Sequence, residues 1–145
     1  MLPILALTLT AMAADPAPKI VNGEREDDFM ATVALGASFG SQTFSACTGS
    51  LITPRVILSA AHCGADIPLE LVVSAGSAFF GESVDDPEAM IGFEDLVVHP
   101  DYVELEGTLG GSLGEFDVAI LVLEEDAPSE IEPFWLRRAE LGEDL

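Results

Sequence analysis

The chain has 145 residues, of which 49% are hydrophobic, so it is long enough to form one domain of ordinary size with a real core. Its 26 acidic and 5 basic residues give a formal net charge of -21. Nucleic acids and anionic membrane surfaces repel a protein of this charge, which argues against both as partners.

The first predicted element is an apolar N-terminal segment. It ends in Ala11-Met12-Ala13, a pattern of small residues that is typical of signal-peptide cleavage sites. The apolar run is too short to span a bilayer, and no Lys or Arg precedes it as one usually does in a signal peptide. We therefore expect residues 1–13 to be a signal peptide and the protein to be secreted, to an extracellular or periplasmic location.

A short polar segment with two prolines follows, and residues 14–19 are predicted to form an extended linker. Ile20-Val21-Asn22-Gly23 comes next. By itself this pattern is typical of a strand entry followed by an Asn-Gly turn.

Short apolar segments separated by turns predict most of the remaining structure. The turns are expected at residues 36–41 and 53–55. The predicted strands are residues 29–35, 44–51, 56–58, 69–75, 77–80, 91–98 and 118–123. Almost no segment has a 3.6-residue period, so we predict an all-β fold in which about six antiparallel strands close into a small barrel.

The segment around His62 is the first candidate for chemistry. Three β-prone residues, Val56-Ile57-Leu58, lead into Ser59-Ala60-Ala61, whose small side chains let the backbone pack tightly before His62. A histidine held in this way can transfer protons near neutral pH. Alternatively, it satisfies a buried hydrogen bond.

The chain has two cysteines, Cys47 and Cys63. In a secreted chain an even pair favours a disulfide, which would close a loop of about 16 residues and tie the turn that carries His62 to the neighbouring strand. Two free thiols are the alternative. The two cysteines and two histidines show no recognised zinc spacing, so no metal site is predicted among them.

Three further candidates lie beyond residue 98. His99 is followed by Pro100, which marks a strand end, so we expect His99 to be structural or exposed and not catalytic. Ser112 fits a G-x-S-x-G pattern, but that pattern marks a nucleophile only when a helix follows, and here a strand is predicted. Asp117 precedes an apolar strand. If its carboxylate is buried, it needs a partner such as an imidazole N–H. The alternative is an exposed aspartate at a strand start, which needs no partner.

Together these segments resemble the trypsin/chymotrypsin-like serine proteases. Residues 58–63, Leu-Ser-Ala-Ala-His-Cys, are similar to the histidine motif of that family at every position. Residues 47–52 resemble its Cys-x-Gly-Ser-Leu-Ile segment, and residues 117–121 resemble its aspartate motif. The resemblance implies that His62 is a general base and that Asp117 orients its imidazole.

The resemblance also implies how the protein is made and what it acts on. Ile20 occupies the position of the mature N-terminus, freed when a zymogen is cleaved after Lys19, and residues 20–145 would be the protease domain acting on protein or peptide substrates. Some family members bind calcium at the place of the acidic loop formed by residues 81–94, since calcium requires oxygen ligands. A solvated charged loop is the other interpretation, and no other cofactor is expected.

A full family member has two six-stranded barrels, and this chain resembles the first of them. Its sequence contains no Gly-Asp-Ser-Gly-Gly, so the nucleophilic serine, the oxyanion hole and the partner of the Ile20 amine are absent from it. We therefore expect the N-terminal half of a secreted serine endopeptidase that is inactive alone and would need a separate C-terminal half. The alternatives are a non-catalytic, protease-derived binding module and a truncated gene fragment.

Overall fold

The described part of the chain consists mostly of β-strands. The computed structural model describes residues 29–40, 42–104 and 114–136. Its elements, in chain order, are β1 (Thr32–Phe39), β2 (Gln42–Thr53), β3 (Val56–Ser59), a 3-10 turn (Ala61–Cys63), α1 (Leu69–Ala75), β4 (Gly76–Phe80), β5 (Ala89–Val98), β6 (Val103–Glu104), β7 (Gly114–Glu115) and β8 (Ala119–Leu123).

Six of these strands close into one antiparallel barrel. Their order is β1-β2-β3-β8-β5-β4, and β4 pairs with β1 to complete the ring. Closure pairs both edges of the sheet, which removes the unpaired N–H and C=O groups of an open edge. β6 and β7 form a separate two-stranded ribbon. The predicted six-stranded all-β barrel is confirmed.

Alternate side chains of the strands fill the barrel. In β8, Ala119, Leu121 and Leu123 are buried, while the residues between them are half-buried. Each large apolar side chain removed from water contributes about 1.5–3 kcal/mol. The largest fully buried side chains are those of Phe80, Leu51, Ile57, Leu123 and Val33. This core fixes the ends of β3 and β8, where the two main site candidates lie.

The prediction of a strand over residues 69–75 is wrong, because this segment is helix α1. The barrel closes through β4 and β1, so the segment has no free strand edge to join. Pro68 precedes the helix, and its carbonyl accepts hydrogen bonds from the backbone N–H groups of Leu71 and Val72. Val72 alone is buried in α1, consistent with a short helix that presents one side to the barrel. Among the residues described, no helix has the length and apolar character that crossing a membrane requires.

The prediction of a turn over residues 36–41 is also wrong, because β1 continues to Phe39. The strand passes Gly36 through an irregularity in its pairing with β2. A side chain at position 36 would collide with the backbone carbonyl of Phe44, so the two strands approach closely only because glycine stands there. The turn instead falls at Gly40, whose φ is +65°.

Candidate active site

The end of β3 places His62 at one end of the barrel. Ser59 is the last residue of β3, Ala60 is extended, and the 3-10 turn then reverses the chain. Within this turn Ala61 is fully buried, and its carbonyl accepts hydrogen bonds from the backbone N–H groups of Gly64 and Ala65. The small alanines therefore anchor the turn in the core, while the imidazole of His62 stands at the surface.

A disulfide braces the same turn. The Sγ atoms of Cys47 and Cys63 are 2.05 Å apart, and their Cα atoms are 6.0 Å apart. The bond joins β2 to the residue directly after His62, so the predicted disulfide is confirmed. A loop of this size stabilises the fold by about 3 kcal/mol in the chain-entropy account.

Pairing between β3 and β8 brings Asp117 to His62. The two strands are adjacent and antiparallel, and Ser59 is the partner of Ala119. Asp117 lies two residues before Ala119, and His62 lies three residues after Ser59. His62 and Asp117 therefore meet at the same end of the barrel, just beyond the paired residues Ser59 and Ala119, although 55 positions separate them in the sequence.

Both carboxylate oxygens of Asp117 contact His62. Oδ2 lies 2.7 Å from the imidazole Nδ1, and Oδ1 accepts a hydrogen bond of 2.9 Å from the His62 backbone N–H. The side chain of Asp117 is 22% exposed and that of His62 is 36% exposed. An ionised carboxylate can only accept hydrogen bonds, so this contact assigns the proton to Nδ1 and leaves Nε2 as an acceptor.

The contacts with His62 lower the pKa of Asp117 below its ordinary value. The hydrogen bond from the imidazole is the largest cause, followed by the hydrogen bond from the His62 backbone N–H, while desolvation opposes them. Hydrogen bonds to a carboxylate favour its charged form. Asp117 is therefore ionised at neutral pH and is a suitable acceptor for the His62 N–H.

The neighbourhood of Asp117 is acidic. The pKa of Tyr102 is raised, first by loss of hydration and then by the charges of Asp117, Glu104 and Asp66.

His62 lines an open depression of about 450 Å³, together with the disulfide and small side chains such as those of Ala34 and Ser45. The imidazole is thus accessible to another molecule from a side that carries no bulky group.

A second cavity, of about 240 Å³, is lined by apolar residues at the end of the barrel near α1. Its rim includes Phe39, Phe44 and Leu71, each more than half exposed. None of its lining residues titrates, since its two cysteines form the disulfide. This cavity therefore offers no group for acid–base or nucleophilic chemistry.

The calcium site of the acidic loop formed by residues 81–94 stays a prediction. Within the described residues, three or more metal-binding side chains come together only at Cys47, His62 and Cys63. The two sulfur atoms there are bonded to each other and are not thiolates.

His99 contacts the segment around Asp117, through its backbone and through its ring. Its N–H donates to the Val118 carbonyl at 3.0 Å, and its ring stacks on that of Phe116 at 5.1 Å between centroids. Phe116 has a φ of +55° and precedes Asp117 directly. Sequence reasoning did not single out Phe116, because a left-handed backbone at a phenylalanine leaves no signal in composition or periodicity.

Several predicted positions lie outside the described residues. These are the signal peptide of residues 1–13, the linker of residues 14–19, the Lys19–Ile20 cleavage site and Ser112. They remain predictions.

Comparison with known proteins adds a family and several relatives. The family model described as Trypsin matches residues 20–143. Serine protease Hayan of Drosophila melanogaster is 39% identical over 118 residues, which cover 74% of this chain and 16% of the relative. Phenoloxidase-activating factor 1 of Holotrichia diomphalia is 34% identical over 107 residues, covering 61% and 29%. Venom serine protease Bi-VSP of Bombus ignitus is 36% identical over 83 residues, covering 57% and 21%. The chain thus matches less than a third of the length of each of these relatives.

Proposed function

The chain belongs to the trypsin family of serine proteases, and from that premise we propose that it supplies the general base of a serine endopeptidase. His62 would take the proton from a serine hydroxyl, and Asp117 would orient the imidazole and stabilise the imidazolium that forms. The observation that carries this proposal is the pair of contacts between Asp117 and His62, at 2.7 Å and 2.9 Å.

These contacts support the proposed roles in two ways. The carboxylate on Nδ1 fixes the tautomer in which Nε2 is free to accept a proton. The second carboxylate oxygen, bound to the His62 backbone N–H, restrains rotation of Asp117 and so keeps the first contact aligned. A general base must lie within hydrogen-bond reach of its proton donor, and the exposed imidazole leaves room for one.

We propose that the nucleophilic serine and the oxyanion-hole donors come from a polypeptide segment outside these 145 residues. The sequence contains no Gly-Asp-Ser-Gly-Gly, and the named relatives extend well beyond the matched region. The open depression beside His62 supports this arrangement, since a second segment could approach the imidazole there. Protein or peptide chains would be the substrates.

We further propose that the protein is a secreted zymogen. The apolar residues 1–13, the basic Lys19 before Ile20, and the disulfide all support this proposal. Cleavage after Lys19 would free the Ile20 amine as a new N-terminus. Expression in a secreting host followed by N-terminal sequencing would test it. A mature chain that starts elsewhere than Ile20 after treatment with trypsin would contradict the cleavage site.

Complementation tests the catalytic proposal. The chain is mixed with a separately prepared C-terminal half of the protease domain of Serine protease Hayan, and hydrolysis of a set of peptide amides is measured. We expect hydrolysis by the mixture, and none by either half alone. His62→Ala and Asp117→Asn should each reduce it by at least about a hundredfold, because both groups act on the same proton transfer.

Two outcomes would contradict the proposal. Hydrolysis by the chain alone that His62→Ala abolishes would place a nucleophile within the 145 residues. Binding of the second half without hydrolysis would favour the alternative of a non-catalytic binding module. Glu70→Gln, at an exposed helical position, is the matched control and should leave hydrolysis unchanged.

A further inference from the structure

Phe116 has an unusual backbone. Its φ of +55° is the only positive φ at a non-glycine residue in the described part of the chain. A bulky side chain disfavours this left-handed conformation, so it persists only where the surroundings hold it. The aromatic ring is 55% exposed, so burial in the core is not what holds it.

The imidazole of His99 is the group that faces the Phe116 ring. The two rings are nearly parallel, with an interplanar angle of 10° and centroids 5.1 Å apart. His99 is itself fixed, since its N–H donates to Val118 and its carbonyl accepts from the Tyr102 N–H at 3.0 Å. The Asp101 N–H donates to the His99 Nδ1 at 3.2 Å, which sets the plane of the imidazole. The stack therefore rests on a side chain whose backbone and ring are both held.

The turn that Phe116 begins carries Asp117 at its centre. The Val118 N–H donates to the Phe116 carbonyl at 2.7 Å, closing a three-residue turn around Asp117. A rotation at Phe116 would swing this turn and move the carboxylate away from His62. The position of the carboxylate thus depends on the backbone conformation at position 116.

We propose that Phe116 is a positioning residue, whose ring, stacked on His99, holds the left-handed turn that directs the Asp117 carboxylate to His62. The orienting role of Asp117 rests on the proposed function, whereas the link between the stack and the His62–Asp117 contact is a property of this chain alone. The link can be measured without any hydrolysis, so its failure is distinct from failure of the proposed function.

The readout is the proton on Nδ1 of His62, observed by NMR in the full chain labelled with ¹⁵N. A proton that the imidazole donates to a carboxylate at this distance resonates downfield of an unpaired imidazole N–H, because the charge-assisted bond is short and strong. Unfolding in urea is measured on every variant to separate a change in the contact from a change in the stability of the whole fold.

Three variants separate the ring from the backbone. Phe116→Ala removes the ring and leaves a residue that, like phenylalanine, disfavours a left-handed φ. Phe116→Tyr keeps the stack. His99→Ala removes the other partner and leaves Phe116 in place.

We expect Phe116→Ala and His99→Ala each to speed exchange of the Nδ1 proton by at least about tenfold and to shift it upfield. Phe116→Tyr should behave as the wild-type chain. If Phe116→Ala retains the wild-type resonance and exchange rate, the ring does not position Asp117 and the proposal is overturned. Absence of the downfield proton from the folded wild-type chain would overturn it as well. Should Phe116→Ala fail to fold, His99→Ala decides by the same criteria.

Discussion

At the residue scale, Asp117 connects the chemistry of the site to the stability of the fold. One oxygen contacts a side chain and the other contacts the backbone, so removing the charge disturbs both the imidazole and the turn that carries it. The side chain is mostly covered, which limits screening by water. Asp117→Asn should therefore have a measurable effect in the isolated chain.

The first prediction concerns the pH dependence of stability. The pKa of Asp117 is lowered in the folded state, so the ionised carboxylate stabilises the fold at a pH above its ordinary value. This contribution is lost as the pH falls through the lowered value. We expect Asp117→Asn to destabilise the chain by about 1 kcal/mol near pH 7 and by almost nothing once the wild-type carboxyl is protonated.

Urea unfolding of both proteins across a series of pH values measures this difference. Asp126→Asn, at an exposed position outside the site, is the control and should show no comparable trend. A difference between Asp117→Asn and wild type that stays constant over the whole pH series would contradict the linkage.

The sequence predicted the two residues of the pair but not all of their contacts. His62 and Asp117 were candidates because each adjoins an apolar run predicted as a strand, and the resemblance to the trypsin-like proteases gave them their expected roles. The contact between Asp117 and the His62 backbone N–H was not predictable, since it depends on the register of β3 with β8. The left-handed backbone of Phe116 was not predictable either, because tertiary contacts hold it against the local preference of a phenylalanine.

At the scale of elements, two linkages hold the two ends of β3 to neighbouring segments. The disulfide connects β2 to the 3-10 turn. At the opposite end of β3, Arg55 reaches across to β8: its Nε donates to the Leu123 carbonyl at 2.8 Å, and its Nη2 donates to the Glu124 carbonyl at 2.7 Å. Nη2 also contacts Glu94 at 2.6 Å. Both linkages join segments that are distant in the sequence.

The second prediction concerns the disulfide. The double variant Cys47→Ala/Cys63→Ala leaves no free thiol, and we expect it to lower the free energy of unfolding by about 3 kcal/mol. Thermal and urea unfolding measure the loss. The downfield proton of His62 should also exchange faster, because the turn loses its tie to β2. A loss of less than about 1 kcal/mol would show that the barrel alone holds this turn.

The third prediction separates the two kinds of contact that Arg55 makes. Arg55→Ala removes charge-assisted bonds to two carbonyls and should cost about 2 kcal/mol. Glu94→Gln removes only the ion pair, in which both side chains are largely exposed, and should cost less than about 0.5 kcal/mol. Urea unfolding measures both. Equal losses in the two variants would contradict the assignment of the stabilisation to the carbonyl contacts.

The sequence placed the strands more reliably than it placed what lies between them. Residues 69–75 were predicted as a strand because Val72 and Val73 favour extended structure, but closure of the barrel leaves this segment no partner strand. Residues 36–41 were predicted as a turn because of Gly36, which instead allows a close approach inside β1. In both cases a local preference yielded to the geometry of the whole sheet.

At the scale of the whole molecule, charge is distributed unevenly along the chain. Arg55 is the only Lys or Arg between residues 26 and 136, and the net charge of the chain is -21. Repulsion among the carboxylates opposes compaction, and dissolved salt screens it over about 10 Å at 0.1 M. The barrel core has to outweigh this repulsion.

The fourth prediction follows from this imbalance. Raising sodium chloride from about 0.01 M to 0.5 M should increase the free energy of unfolding by about 1–2 kcal/mol at pH 7, since the screening length becomes short. Urea, which is uncharged, is the suitable denaturant. Near pH 4, where the carboxylates are partly protonated, the salt effect should shrink. A salt effect of equal size at both pH values would contradict a carboxylate origin.

The pairing of β3 with β8 and the disulfide between β2 and the 3-10 turn have a consequence for assembly with a second half. The contacts between His62 and Asp117, and the disulfide beside them, lie within one continuous stretch of chain, so the C-terminal half used in the complementation test would meet a preformed surface. Association of the two halves in that test would follow mass action, so dilution should lower hydrolysis without altering either half.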